Sequence, residues 1–122
     1  MDEEQIEASF QRLQRAGLLD DAAFAQYWVD NRERFKPRGA RALRYELRHK
    51  GLADAEIERA LESLDASDGA YRSAVRKAEQ LRHLDRQTFS RKLIDYLARR
   101  GFDYEVAREA ADRHWAELAE SD

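Results

Sequence analysis

Arg41-Ala42-Leu43-Arg44-Tyr45-Glu46-Leu47-Arg48-His49-Lys50-Gly51-Leu52 returns in outline fifty positions later, as Arg91-Lys92-Leu93-Ile94-Asp95-Tyr96-Leu97-Ala98-Arg99-Arg100-Gly101-Phe102. In each copy two leucines four residues apart mark one face of a helix. A cation and a glycine then close the helix, and an apolar residue follows. A repeat of this kind means that one supersecondary unit was copied and stacked. Stacked helical units work through extended surfaces, so the repeat points to binding and away from catalysis.

The rest of the chain agrees with a helical array. Its 122 residues suit one modest core or a short array, with 43% hydrophobic and 39% charged residues. The β-branched residues are only Val29, Val75, Val106, Ile6, Ile57, Ile94 and Thr88, and there is a single proline. Abundant Ala, Leu, Arg and Glu make the expected class all-α. The chain has no cysteine, which excludes disulfides and thiolate metal sites and fits a reducing, cytoplasmic setting. The acidic start, Met1-Asp2-Glu3-Glu4, is unlike a secretory signal, and no apolar run approaches the roughly 20 residues of a membrane helix.

The net charge of −3 conceals a segregation. Residues 1–31 carry seven acids against Arg12 and Arg15. Residues 32–50 reverse the balance, with Arg32, Arg34, Lys36, Arg38, Arg41, Arg44, Arg48 and Lys50 against Glu33 and Glu46. Residues 71–100 are basic again, and the tail from Phe102 is acidic. A middle of one sign can face an anionic partner with one surface. A helical surface that is merely well charged is the plainer alternative.

Apolar spacing predicts seven helices in an elongated array. The first runs from Glu4 to Ala16 with Ile6, Phe10 and Leu13 inward and Gly17 as its stop. Asp20 caps the second, which carries Phe24, Trp28 and Phe35 on one face. Asp20 and Asp21 are thereby accounted for as capping and dipole residues. Pro37 ends that helix and suits the first turn of the third, which turns Ala40, Leu43 and Leu47 inward. The fourth, 53–64, buries Ile57, Leu61 and Leu64. Ala66-Ser67-Asp68-Gly69 reads as the break between units.

Three more helices follow the same plan. Their stripes are Tyr71, Val75, Ala78 and Leu81; then Phe89, Leu93 and Leu97; then Val106 and Ala110 with Trp115 and Leu118. Ile57 is matched to Val106, one residue short of the fifty spacing, which implies a one-residue change in a loop. The first helix matches the third helix of each unit. The expected organisation is therefore residues 1–17 as the last helix of an incomplete first repeat, 20–65 as a second three-helix repeat and 68–119 as a third.

Three stretches together resemble one family. They are Asp20-Asp21-Ala22-Ala23-Phe24-Ala25 continuing through Trp28-Val29 and Arg32, then Leu43 to Leu52, then Arg91-Lys92-Leu93 through Tyr96-Leu97-Ala98-Arg99-Arg100-Gly101-Phe102. In this order and spacing they are similar to the RecX regulators of the bacterial recombinase RecA. The resemblance implies tandem three-helix repeats that lodge in the groove of the RecA–DNA filament and restrain strand exchange, ATP hydrolysis and repressor cleavage. The family carries a fuller first repeat than is found here. The partner implied is the RecA filament, with weak DNA contact and no membrane, cofactor or small-molecule substrate.

No motif assigns catalytic residues. His49, His83 and His114 are scattered over three helices without cysteine, which is a poor metal set. There is no Gly-x-x-x-x-Gly-Lys phosphate loop and no nucleophile-elbow serine. The candidate partner-binding residues are Arg32, Arg34, Lys36, Arg38, Arg41, Arg44, Tyr45, Arg48, Arg91, Lys92 and Arg99. At 100° per residue Arg41, Arg44 and Arg48 share an arc of about 60°, set off from the leucine stripe. Arginine suits carboxylate or phosphate partners because its planar fork pairs with both in bidentate fashion. The alternative is a solvated face salt-bridged to Glu46 and Asp95. Lys50 and Arg100 stand where cations favour a helix dipole. Tyr45 lies among the arginines, away from the leucines, where an interface anchor would sit. A direct DNA-binding module of helix-turn-helix type is the runner-up reading.

Overall fold

The computed structural model describes residues 3–17 and 20–121, apart from the side chains of Glu3, Ile6, Phe10 and Gln14. Among the described residues there are seven α-helices and no strand: α1 (Glu3–Arg15), α2 (Asp21–Phe35), α3 (Ala40–His49), α4 (Asp54–Leu61), α5 (Ala66–Gln80), α6 (Arg86–Arg99) and α7 (Tyr104–Ser121). The inward placement expected for Ile6 and Phe10 lies outside the described residues, and Leu13 is half-buried.

Local chemistry sets the helix ends. Asp20, Asp65 and Asp85 are N-caps whose carboxylates accept from the backbone N–H of Ala23 (2.8 Å), Asp68 (3.0 Å) and Thr88 (2.7 Å). Each satisfies one of the orphan donors of a first turn. The cap at Asp85 also holds its carboxyl below the usual carboxylate range, because the Thr88 N–H favours the charged form. Pro37 is in the connection between α2 and α3, outside the first turn of α3. The stretch 66–69, expected to be a break, forms the first turn of α5, because Asp65 caps one residue before it. Gly69 is buried there.

The chain divides into two compact units, one of Met1–Lys36 with Leu43–Leu64 and one of Pro37–Ala42 with Asp65–Asp122. In the first, Phe24, Ala25, Trp28 and Val29 of α2 are buried together with Leu43, Leu47, Leu52, Ile57, Ala60 and Leu61. In the second, Ala70, Ala74 and Ala78 of α5 pack with Phe89, Leu93 and Leu97 of α6 and with Phe102, Ala107, Ala110 and Ala111. Phe89 and Trp115 meet in a tilted pair with centroids 5.3 Å apart. Pro37–Ala42 joins this unit through the C-terminus of α6. Gly39 donates its N–H to Arg100 O (2.8 Å), and Arg41 donates to Ala98 O (2.5 Å). The first satisfies a carbonyl at the helix end, and the second adds a charged donor to the Ala98 carbonyl, which also accepts the Gly101 N–H at 3.0 Å.

Several expected core positions are corrected. Phe35 is 43% exposed and Val75 51% exposed. On α5 the inward stripe is Ala70, Ala74 and Ala78, one position away from Val75. On α7 it is Ala107, Ala110, Ala111 and His114, with Val106, Trp115 and Leu118 only half-buried. The equivalent of Ile57 is therefore Ala107, not Val106. α4 and α7 begin at Asp54 and Tyr104, so the fifty spacing continues into the last helix with no loop change. Alanine lets α5 and α7 approach closely, and close approach of two backbones selects small residues over branched ones.

Candidate functional site

The basic residues singled out by sequence fall into different physical situations. Arg32 is 3% exposed. Its Nε donates to Glu46 Oε1 at 3.1 Å, and its guanidinium sits over the Trp28 ring at 4.9 Å. The same carboxylate oxygen accepts the Trp28 indole N–H at 2.8 Å. Arg32 thus belongs to the interior of the first unit and is withdrawn from the candidate surface. A buried cation needs such a counter-charge, since an uncompensated one is costly to desolvate.

On α3, Arg44 and Arg48 are exposed in part but paired. Arg44 grips Glu58 with two bonds, Nε–Oε2 at 2.7 Å and Nη2–Oε1 at 3.0 Å. That contact holds the Glu58 carboxyl below its usual range. Arg48 donates to Asp54 at 3.0 Å. Lys50 pairs with Glu7. Salt bridges do occur here, as the plainer reading expects: Glu46 pairs with Arg32, and Glu58, Asp54 and Glu7 pair with Arg44, Arg48 and Lys50, whereas Asp95 makes no ion pair among the described residues. Tyr45 is 67% exposed and stacks on His49 with centroids 5.4 Å apart.

The remaining candidates of this stretch differ again. Arg34 is exposed, with its guanidinium 5.2 Å from the Phe35 ring centroid. Lys36 is exposed at the C-cap of α2, and Arg38 is half-buried. Arg41 is exposed but occupied by the carbonyl of Ala98.

The second unit presents a different surface. Arg91, Lys92 and Arg99 on α6 are exposed, and none makes an ion pair among the described residues. Arg91 borders two hollows. One, of about 580 Å³, is lined by Arg86, Gln87, Ser90, Arg91, Ile94, Asp95 and Tyr104. The other, of about 250 Å³, is lined by Lys77, Leu81, Arg91, Lys92, Asp95, Tyr96 and Arg99. Tyr96 carries cations near its ring, Arg100 at 3.8 Å and Lys77 at 5.7 Å.

Sequence reasoning missed Arg86 and Tyr104. Arg86 had a readable signal, since it follows the N-cap Asp85 and stands in a first turn that holds no acid. A cation there opposes the helix dipole and gains nothing for the fold. Tyr104 had none, because a tyrosine opening a helix looks the same whether it is 62% exposed, as here, or buried.

Among the described residues no group of three His, Cys, Asp or Glu side chains could hold a metal ion, and no helix is long and apolar enough to cross a membrane. The surface offers charge, an apolar floor and aromatic edges, which suit recognition of a macromolecule.

Comparison with known proteins bears on the family. A family model described as RecX, second three-helix domain, matches residues 20–61, and one described as RecX, third three-helix domain, matches residues 65–111. The chain is 38% identical over 108 residues to "Regulatory protein RecX" of Chlorobium phaeobacteroides, covering 88% of this chain and 71% of that protein. It is 38% identical over 110 residues to the protein of the same name from Prosthecochloris aestuarii, covering 90% and 72%. For that of Streptomyces coelicolor the identity is 38% over 108 residues, covering 86% and 57%. No solved structure matches the chain. Two consecutive domain matches in order, and relatives at this identity over most of the chain, place the protein in the RecX family of regulatory proteins.

Proposed function

We propose that the protein binds the RecA–DNA filament and restrains RecA's strand exchange, ATP hydrolysis and repressor cleavage, acting in the cytoplasm by binding and without catalysis. The observation that carries this reading is the pair of RecX domains at 20–61 and 65–111. The exposed cations of α6 support it, since a filament offers phosphates and acidic side chains. Of the candidate residues, Arg91, Lys92 and Arg99 are put forward as the principal contacts. Arg34, Lys36, Arg41 and Tyr45 are secondary ones. Arg44 and Arg48 would have to exchange Glu58 and Asp54 for a partner. α1 stands as the last helix of a preceding repeat, ahead of repeats at 20–65 and 68–119.

The test is RecA ATPase on single-stranded DNA, titrated with the full chain. The expected result is a saturable fall in turnover that weakens as salt is raised, because exposed charges are screened over about 10 Å at 0.1 M. Unchanged ATPase at excess protein would refute the reading. Tight duplex binding without RecA, with a steep salt dependence, would instead identify a direct DNA-binding module.

A further inference from the structure

The larger hollow of the second unit has a composition that a polyanion does not explain. Arg86 and Arg91 are cations without an ion pair among the described residues, Ile94 gives an apolar floor, and Tyr104 is an exposed aromatic wall. Asp95 also lines the hollow, and it too has no ion pair among the described residues. Nucleic acid could use the cations and stack on Tyr104, but its phosphates would be repelled by Asp95. A protein segment can satisfy all of these groups at once.

We propose that this groove on α6 and the start of α7 receives an acidic peptide segment that also carries an apolar side chain and one basic residue. Its carboxylates pair with Arg86 and Arg91, its apolar side chain covers Ile94 against Tyr104, and its basic residue meets Asp95. Resting on the function proposed above for the partner's identity, the segment belongs to the protein component of the filament and not to its DNA. Charge complementarity with a minority of opposite sign fixes register, because a wrongly placed segment sets like charges together. Arg86 supplies an independent reason. Its place in the first turn of α6 costs the helix a favourable dipole interaction, which a partner carboxylate at the same position restores.

Asp95 makes the idea testable, since replacing it by a cation has opposite effects on the two kinds of partner. Fluorescence anisotropy is measured on the full chain with two dye-labelled probes, the peptide Glu-Glu-Phe-Lys-Glu-Glu and an oligothymidylate of comparable charge. The peptide is expected to bind the wild type more tightly than the oligonucleotide. Arg91→Glu should weaken it by about tenfold or more. Asp95→Arg should weaken it as well, although it adds positive charge, and should strengthen oligothymidylate binding. Both positions are exposed, and circular dichroism checks that each variant stays helical.

Absence of peptide binding, or a gain in peptide affinity on Asp95→Arg, overturns the proposal. So does concentration-dependent self-association that Arg91→Glu abolishes, which would assign the groove to a second copy of the chain. RecA ATPase with the same proteins separates the two readings. Inhibition by the wild type that survives both substitutions removes the groove from the filament interface and leaves the function standing. Peptide binding with the expected pattern but no inhibition by the wild type leaves the groove standing and refutes the function.

Discussion

Replacing Glu46 by alanine should unfold the first unit at much lower denaturant, although Glu46 is a partly exposed polar residue. Its Oε1 accepts both the Trp28 indole N–H at 2.8 Å and the Arg32 Nε–H at 3.1 Å. The Arg32 side chain is 4% exposed, whereas that of Glu46 is 20% exposed. Removing the carboxylate therefore leaves a buried cation without its Glu46 counter-charge. Breaking such a pair from one side costs about 3–5 kcal/mol. The contact of Arg32 with the Trp28 ring survives, so the lower end, about 3 kcal/mol, is expected. That is a large share of a domain stability of about 5–15 kcal/mol.

Urea unfolding measures this loss, with Trp28 fluorescence in a Trp115→Phe background reporting the first unit. At a slope of about 1–3 kcal/mol per molar urea, the midpoint should fall by about 1–3 M. Glu46→Gln keeps an acceptor for the indole and should lose less. The double variant Arg32→Met with Glu46→Leu, in which neither charge remains, should be more stable than Glu46→Ala alone. A midpoint for Glu46→Ala that stays at the wild-type value would refute the assignment of Arg32 to the interior.

Two further outcomes follow from the packing of the repeats. Gly51 and Gly101 close equivalent helices at φ 86° and 89°, so alanine at either meets left-handed strain of about 1–2 kcal/mol. A Cβ at Gly51 faces open space, but one at Gly101 would lie 2.5 Å from the backbone N of Ala42. Gly101→Ala should therefore lower the melting temperature clearly more than Gly51→Ala, and equal shifts would contradict the close approach. In the second unit the Tyr71 hydroxyl donates to Glu117 at 2.5 Å, which pushes its pKa above the ordinary 10.0. A raised folded-state value means that this contribution is complete below pH 10.0 and is lost as pH rises through the folded-state value. Wild-type stability should fall in that alkaline window, and Tyr71→Phe should lack this component; identical alkaline profiles would show that the bond carries no stability.

Features that depend on a few neighbouring residues are readable directly from the chain. Asp20 as a cap, Gly17 and Gly51 as stops, and the leucine stripes of α3 and α6 were all legible, because caps and helical periods act within one or two turns. The repeat was legible for the same reason, since fifty residues of local signals recur in order. Which stripe of α5 faces inward depends on the neighbouring helix. Val75 outranks Ala74 on hydrophobicity, yet the closeness of α5 to α7 admits alanine and leaves valine in solvent.

Tertiary structure alone decided what each arginine does. Arg32, Arg44 and Arg91 look alike in a basic stretch, but one is buried against Glu46, one is forked onto Glu58 and one stands free of ion pairs among the described residues. Glu46 and Glu58 each lie fourteen positions from their arginine, on a different helix, so the pairing appears only when helices pack. A charge is assigned by its neighbours in space, and those neighbours are chosen by packing that no local pattern encodes.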